Sequence, residues 1–143
     1  MLFRSGIEFF STFGGSNLSC RIGKEVLEIV DEEKLQSNAK IVGDFLLAGF
    51  RELKEKFEFI GDVRGMGLFI GIEIIENDGA ESPELCAYIK NKMRENRVLI
   101  GSDGPKDNVI KIRPPLTIDL EDGQMLLETF SRVLDGTQDW HYE

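Results

Sequence analysis

Between Leu35 and Phe57 the apolar residues Leu35, Ala39, Val42, Leu46, Phe50, Leu53 and Phe57 fall at steps of three and four. That spacing gathers them into one stripe of a long helix, which must be buried against something. The pattern then changes abruptly. Leu68-Phe69-Ile70-Gly71-Ile72-Glu73-Ile74-Ile75 is rich in β-branched residues and is bounded by Asn77-Asp78-Gly79, the composition of a buried strand. A one-sided helix followed by such a strand restricts the chain to folds that layer helices on a sheet.

The remaining elements fit that restriction. Leu18, Ile22, Val26, Ile29 and Val30 predict an earlier helix with Ser16 as its N-cap, ending in the polar joint Asp31-Glu32-Glu33. Phe59 to Arg64 is short and extended, and Gly65-Met66-Gly67 interrupts it. The glycines resemble a dinucleotide fingerprint but fail it, because a strand follows where a helix should begin. Close backbone packing or a bulge accounts for them better. Ser82-Pro83 opens a third helix, cap then first-turn proline, with Leu85, Ile89 and Met93 inward. Val98-Leu99-Ile100 is a short strand, Gly101 to Asn108 an emphatic turn, and Val109 to Arg113 a further strand stopped by Pro114-Pro115. Asp119 caps a last helix that buries Leu126, Phe130, Val133 and Leu134, and the tail from Gly136 is expected to be loose. The predicted fold is α+β: a small, mostly antiparallel sheet with helices packed on one face.

Composition excludes several functions. A chain of 143 residues with 41% hydrophobic and 30% charged residues suits one soluble globular domain. A net charge of −9 with no basic stripe argues against nucleic acid as partner. Cys20 and Cys86 lie far apart, with no Cys-x-x-Cys and no His pair, so reduced core thiols are expected, not a disulfide framework or a metal site. The single His141 reads as a solvated residue, and no apolar run approaches membrane-spanning length. The opening Met1-Leu2-Phe3-Arg4-Ser5-Gly6-Ile7 lacks a polar lead-in and suggests a start inside a domain, hence a fragment.

Chemistry concentrates in Phe9-Phe10-Ser11-Thr12-Phe13-Gly14-Gly15-Ser16. Two hydroxyls sit beside glycines that permit a tight turn, just ahead of a helix whose N-terminus offers unpaired N–H groups and positive dipole. Hydroxyls and free N–H groups together suit a bound phosphate. The plainer reading is an ordinary capped helix after a turn, with Phe9 and Phe10 as packing residues. Lys111 and Arg113 alternate with Ile110 and Ile112 and so point to one face of their strand, either as a solvent-facing pair or as an anion contact. Arg64, before the glycine turn, reads as a structural anchor.

Four blocks occur together in order: Phe10-Ser11-Thr12-Phe13-Gly14-Gly15, Val63-Arg64-Gly65-Met66-Gly67-Leu68-Phe69-Ile70-Gly71-Ile72-Glu73, Ser102-Asp103-Gly104-Pro105 and Lys111-Ile112-Arg113-Pro114-Pro115-Leu116. The set resembles the C-terminal part of class III pyridoxal-phosphate-dependent aminotransferases from about Gly6 to Leu134. It resembles most the branch of ethanolamine-phosphate phospho-lyases and alanine–glyoxylate aminotransferase-like enzymes. The resemblance implies the small C-terminal domain of a fold-type-I enzyme: residues 1–16 leading from a large domain, 17–136 forming the small domain and 137–143 a flexible tail.

It further implies pyridoxal 5′-phosphate as cofactor, a small amine as substrate, and a homodimer with its active site at the subunit interface. The setting would be the cytoplasm or the mitochondrial matrix. Thr12, with Ser11 beside it, takes the place of the residue that reaches the cofactor phosphate of the neighbouring subunit. Lys111 would meet a substrate phosphate or carboxylate, or pair with an acidic group of the large domain, and Arg113 is the second candidate for substrate contact. Ser16-Asn17 stand where relatives usually continue Asn-Pro, which alters the path into the helix. The family's cofactor-bonding lysine lies upstream of every block present here. Lys24, Lys40, Lys54, Lys56 and Lys90 sit among polar neighbours on predicted helices, so this chain alone holds no catalytic residue and is expected to be inactive. The competing expectation is a stand-alone, non-catalytic α+β module that binds a small anion or a protein.

Overall fold

The computed structural model describes residues 11, 12 and 14–139. Phe9, Phe10, Phe13 and His141, assigned roles above, lie outside the described residues. The chain divides after Lys34 into two units.

The first unit holds helix α1, Asn17–Glu32. Ser16 occupies its N-cap position, but its side chain makes no capping hydrogen bond. None of the α1 side chains is buried: Leu18, Ile22, Val26 and Leu27 all stand in the open. Arg21–Glu25 and Lys24–Glu28 pair one turn apart along its polar side. The helix stops at Glu33, and Lys34 takes a left-handed φ of 52°.

The second unit follows the predicted order of elements. It runs α2 (Leu35–Lys56), β1 (Ile60–Met66), β2 (Phe69–Ile74), α3 (Pro83–Glu95), β3 (Gly101–Asp103), β4 (Val109–Ile112) and α4 (Leu120–Asp135). Among the described residues the strands form one antiparallel sheet in the order β1-β2-β4-β3. Helices α2 and α3 lie on the sheet and α4 packs against both. Alternation along the strands sends Ile70, Ile72, Ile74, Ile110 and Ile112 inward, under α2 residues Val42, Leu46 and Phe50. Phe50 meets Phe130 of α4 edge to face, with ring centroids 5.2 Å apart.

Three local expectations change. The glycines do not interrupt β1, which continues through Gly65 and Met66 into a two-residue turn, Gly67–Leu68, and returns as β2. Gly67 has φ +55°, the positive value that tight hairpin turns require at their first position. β2 is buried on one face only: Ile70, Ile72 and Ile74 are buried, while Phe69 is exposed and Gly71 and Glu73 are half-buried. Val98-Leu99-Ile100 is not a strand. Leaving α3, the N–H groups of Arg97 and Val98 still donate to Arg94 and Met93 carbonyls, and Arg97 is left-handed at φ 65°. The chain therefore extends only from Gly101, three residues late, and Leu99 is left 84% exposed. Asp119 caps α4 as expected, accepting from the Asp122 N–H at 2.9 Å. After α4, Gly136–Asp139 form a 3₁₀ turn in which the buried Thr137 hydroxyl donates to the Leu134 carbonyl.

One buried polar group ties the sheet to α3. The Asn108 side chain, 3% exposed, donates to the Ile74 carbonyl, which also accepts the Ser82 N–H; the Asn108 carbonyl in turn accepts the Ile74 N–H. The neighbouring Ser82 hydroxyl is buried without a partner among the described residues. Asn108→Ala is expected to lower unfolding free energy by about 1–2 kcal/mol, and Ser82→Ala to leave it unchanged or slightly raised. Urea unfolding of the two variants beside the parent chain checks the contrast; equal losses would contradict it.

Candidate functional site

The less buried face of the sheet carries the charged chemistry. Strand register aligns Arg64 of β1 with Gly71 of β2, Gly71 with Lys111 of β4, and Lys111 with Gly101 of β3. The row therefore reads cation, gap, cation, gap across the sheet. A Cβ at either gap would be in ordinary contact with the cations' stems, 3.9 Å from the Arg64 Cγ at Gly71 and 3.6 Å from the Lys111 Cε at Gly101, and the tightest contact at Gly71 would be the Val109 Cγ1 at 3.3 Å. The hollow beside this row has a volume of about 400 Å³ and is lined by Arg64, Phe69, Gly71, Asp103, Val109 and Lys111, among others.

Both cations are engaged. Arg64 Nη1 donates to Asp62 Oδ2 and Glu73 Oε2, each at 2.9 Å. The hydrogen bond from Arg64 draws the Asp62 carboxyl below its ordinary pKa against the opposing effect of burial, and the two carboxylates together raise the guanidinium's. Lys111 Nζ donates to Asp103 Oδ2 at 2.6 Å, and the other carboxylate oxygen accepts the Gly104 N–H at 2.9 Å. The Lys111 bond first, and the Gly104 bond second, hold the Asp103 carboxyl below the usual range.

Arg113 does not join Lys111. It lies one residue past β4, is exposed, and lines a larger apolar hollow of about 990 Å³ with Ala39, Leu47, Met66, Leu68 and Pro114. The Pro114-Pro115 stop ends the strand before Arg113 can continue the alternation. Ser11 and Thr12 belong to the first unit, where both are exposed in the turn ahead of α1. The Gly14 N–H donates to the Ser11 carbonyl at 3.3 Å, and Gly15 has φ +80°. Two exposed hydroxyls precede a helix whose first-turn N–H groups no Ser16 side chain occupies, a donor set that fits a phosphate.

Reading the sequence alone missed Asp103 as the partner of Lys111. Eight residues separate them, and only the β3–β4 pairing, hidden under an apparent long turn, brings them together. Arg64 lines the same hollow and, through Asp62 and Glu73, ties β1 to β2. The cysteines differ from each other. Cys86 is the buried thiol expected, with burial pushing its pKa up to about 11, whereas Cys20 stands exposed on α1. Among the described residues no cluster of His, Cys, Asp or Glu could hold a metal ion, and no helix is long and apolar enough to cross a membrane.

Residues 3–134 match the family described as aminotransferase class-III. An alanine–glyoxylate aminotransferase 2-like protein of Drosophila melanogaster is 42% identical over 133 residues, which are 91% of this chain and 27% of the relative. A mitochondrial alanine–glyoxylate aminotransferase 2 homolog of Arabidopsis thaliana is 42% identical over 122 residues, 84% of this chain and 26% of the relative. A solved phospholyase from Arthrobacter, in complex with phosphoethanolamine, superimposes with a TM-score of 0.84 at 37% identity over 89% of this chain and 31% of its own. The chain thus spans about a quarter of the length of these two curated relatives. From its sequence and its fold alike, it belongs to the class-III aminotransferases, a family of pyridoxal-phosphate-dependent aminotransferases and lyases.

Proposed function

We propose that the chain forms the C-terminal portion of a class-III enzyme acting on a small amine, as an aminotransferase or as an amino-alcohol phosphate lyase of the ethanolamine-phosphate type. The observation that carries this reading is Lys111, 70% covered, in a hollow of about 400 Å³ on the less buried face of a sheet. Its ammonium would hold the anionic end of the substrate, carboxylate or phosphate, and so orient the amine end. The phosphoethanolamine bound to the Arthrobacter phospholyase is a ligand of that chemistry.

Thr12 and Ser11 would hold the phosphate of pyridoxal 5′-phosphate, as donors from a turn reaching into a neighbouring subunit of a homodimer. When bound, that cofactor supplies an electron sink for a carbanion at the amine carbon. An aminotransferase returns a proton where a lyase expels a leaving group such as phosphate, and Lys111 could steady the anion in either case. Arg113, in its separate hollow, would act at the mouth of the site. A cytoplasmic or mitochondrial-matrix setting accompanies this reading, and the Arabidopsis relative is named as mitochondrial.

The lysines present do not suit bonding to the cofactor, which needs a cation-lowered or buried amine. Lys40, Lys56 and Lys92 pair with carboxylates at the surface, and Lys90 donates to the Ser102 hydroxyl. The purified 143-residue chain is therefore expected to show no turnover of phosphoethanolamine or of alanine with glyoxylate, and no retained cofactor absorbance. Turnover by this chain would refute that. The product of the full reading frame, assayed for phosphate release and for amino transfer, decides the reaction; activity in neither assay, with no cofactor bound, would overturn the function.

A further inference from the structure

Helix α1 has the make-up of a helix lying on a surface that the described residues do not supply. Helical spacing gathers Leu18, Ile22, Val26 and Ile29 on one side, yet Leu18 is 71% exposed and even Ile29, the most covered of the four, is 41% exposed. The other side carries the ion pairs Arg21–Glu25 and Lys24–Glu28, closed within the helix and suited to water. A 16-residue helix that buries nothing is marginal in water, more so with four β-branched residues in it. Gly23 adds a second observation. Helices α1, α2 and α4 hold four glycines, each a poor helix former. Three of them face a packed neighbour: a Cβ would meet the Gly67 carbonyl oxygen at 2.2 Å from position 43, the Leu127 Cδ1 at 2.5 Å from position 49 and the Phe45 Cδ1 at 3.5 Å from position 123. At Gly23, one turn from Val26, it would meet no described atom within 4 Å.

From this we infer that α1 docks, apolar side down, on the part of a longer protein that precedes this chain, with main chain or a small side chain of that part seated at Gly23. The inference rests on the reading of the chain as the C-terminal portion of a class-III enzyme. The chain spans about a quarter of the two curated relatives, and α1 lies inside the matched residues 3–134. The surface it meets is apolar along the stripe and carries nothing bulky or charged at Gly23, since only a close approach uses the missing Cβ. A second copy of this chain fits the face less well. Helix α1 carries four carboxylates against two cations and the whole chain −9, so two copies repel. A segment of the same polypeptide is held nearby at high effective concentration.

The test compares hydrogen exchange of the α1 amides in the 143-residue chain and in the product of the full reading frame. Exchange is expected to be at least about a hundredfold slower in the longer protein, where the helix is covered. Gly23→Leu should leave the 143-residue chain unharmed, since its side chain meets no described atom there, and in the longer protein should return α1 to within about tenfold of the uncovered rate. Lys24→Ala, on the polar side, should leave protection in the longer protein unchanged. Should Gly23→Leu not fold in the longer protein, Gly23→Ala carries the comparison, with α1 exchange about tenfold faster than in the parent. Equal α1 exchange in the two parent proteins would overturn the docking. Protection in the 143-residue chain that rises with its concentration would give the face to a second copy instead. Protection in the longer protein that survives both Gly23 variants would remove the close approach. Cofactor binding and turnover are read separately: an active enzyme with unprotected α1 loses the docking alone, and an inactive one with protected α1 loses the function alone.

Discussion

Gly43→Ala is expected to destabilise the second unit by about 2–3 kcal/mol, although alanine is by far the better helix former. Gly43 lies inside α2, where glycine costs roughly 1 kcal/mol relative to alanine, so propensity alone predicts a gain. Packing decides against it. A Cβ at position 43 would lie 2.2 Å from the Gly67 carbonyl oxygen, 2.4 Å from its carbon and 2.6 Å from its Cα. These are backbone atoms of the hairpin turn, held by the β1–β2 ladder, and cannot rotate aside. Overpacking in a filled core typically costs about 1–3 kcal/mol and occasionally more, and here α2 must lift off the hairpin to make room. Gly123 supplies the control. It too lies within a helix of this core, yet a Cβ there would meet Phe45 and Leu46 at 3.5–3.6 Å, ordinary contact. Gly123→Ala should therefore be neutral or stabilising. Thermal unfolding separates the two variants: a fall of roughly 5–10 °C at position 43 against no fall at position 123. Equal melting temperatures would mean that the hairpin turn is free to move.

That contrast marks what the sequence could and could not convey. The stripe from Leu35 to Phe57 and the β-branched run after Leu68 were legible because periodicity records which face is buried, and both elements formed where expected. The order of elements followed. The glycines of Gly65-Met66-Gly67 announced close backbone approach, but not that α2 would supply Gly43 as the matching gap. The third strand was misplaced because Val98-Leu99-Ile100 has strand composition, while the Val98 N–H remains committed to ending α3. Composition reports preference; hydrogen bonds already made can overrule it. The site shows the same limit. Alternation along one strand put Lys111 on a face, yet its partner Asp103 depends on register between two strands, one of them only three residues long. Arg113 shared the alternation of Lys111 in sequence and lost it in space, because two prolines ended the strand first.

The Ser11–Thr12 turn carries the other large expected effect. In a full-length protein containing this chain, Thr12→Val should weaken pyridoxal 5′-phosphate binding about ten- to hundredfold. The variant keeps the side chain's shape and removes only the hydroxyl, and a hydrogen bond to a charged group is typically worth about 1.5–3 kcal/mol. Folding should scarcely notice. Thr12 is exposed, lies four residues ahead of the α1 N-cap, and the bond that shapes its turn runs from the Gly14 N–H to the Ser11 carbonyl, between main-chain atoms. A surface change of this kind usually shifts stability by no more than about 0.5 kcal/mol. An ordinary turn before a helix predicts the opposite pairing, a small stability change and unaltered cofactor affinity. Titration of cofactor into the apo parent and variant, with thermal melts of both apo forms, distinguishes the two. Matching affinities would remove Thr12 from the cofactor site, and would leave the phosphate to the uncapped N–H groups of α1 or to Ser11, whose Ser11→Ala variant should then carry the loss instead.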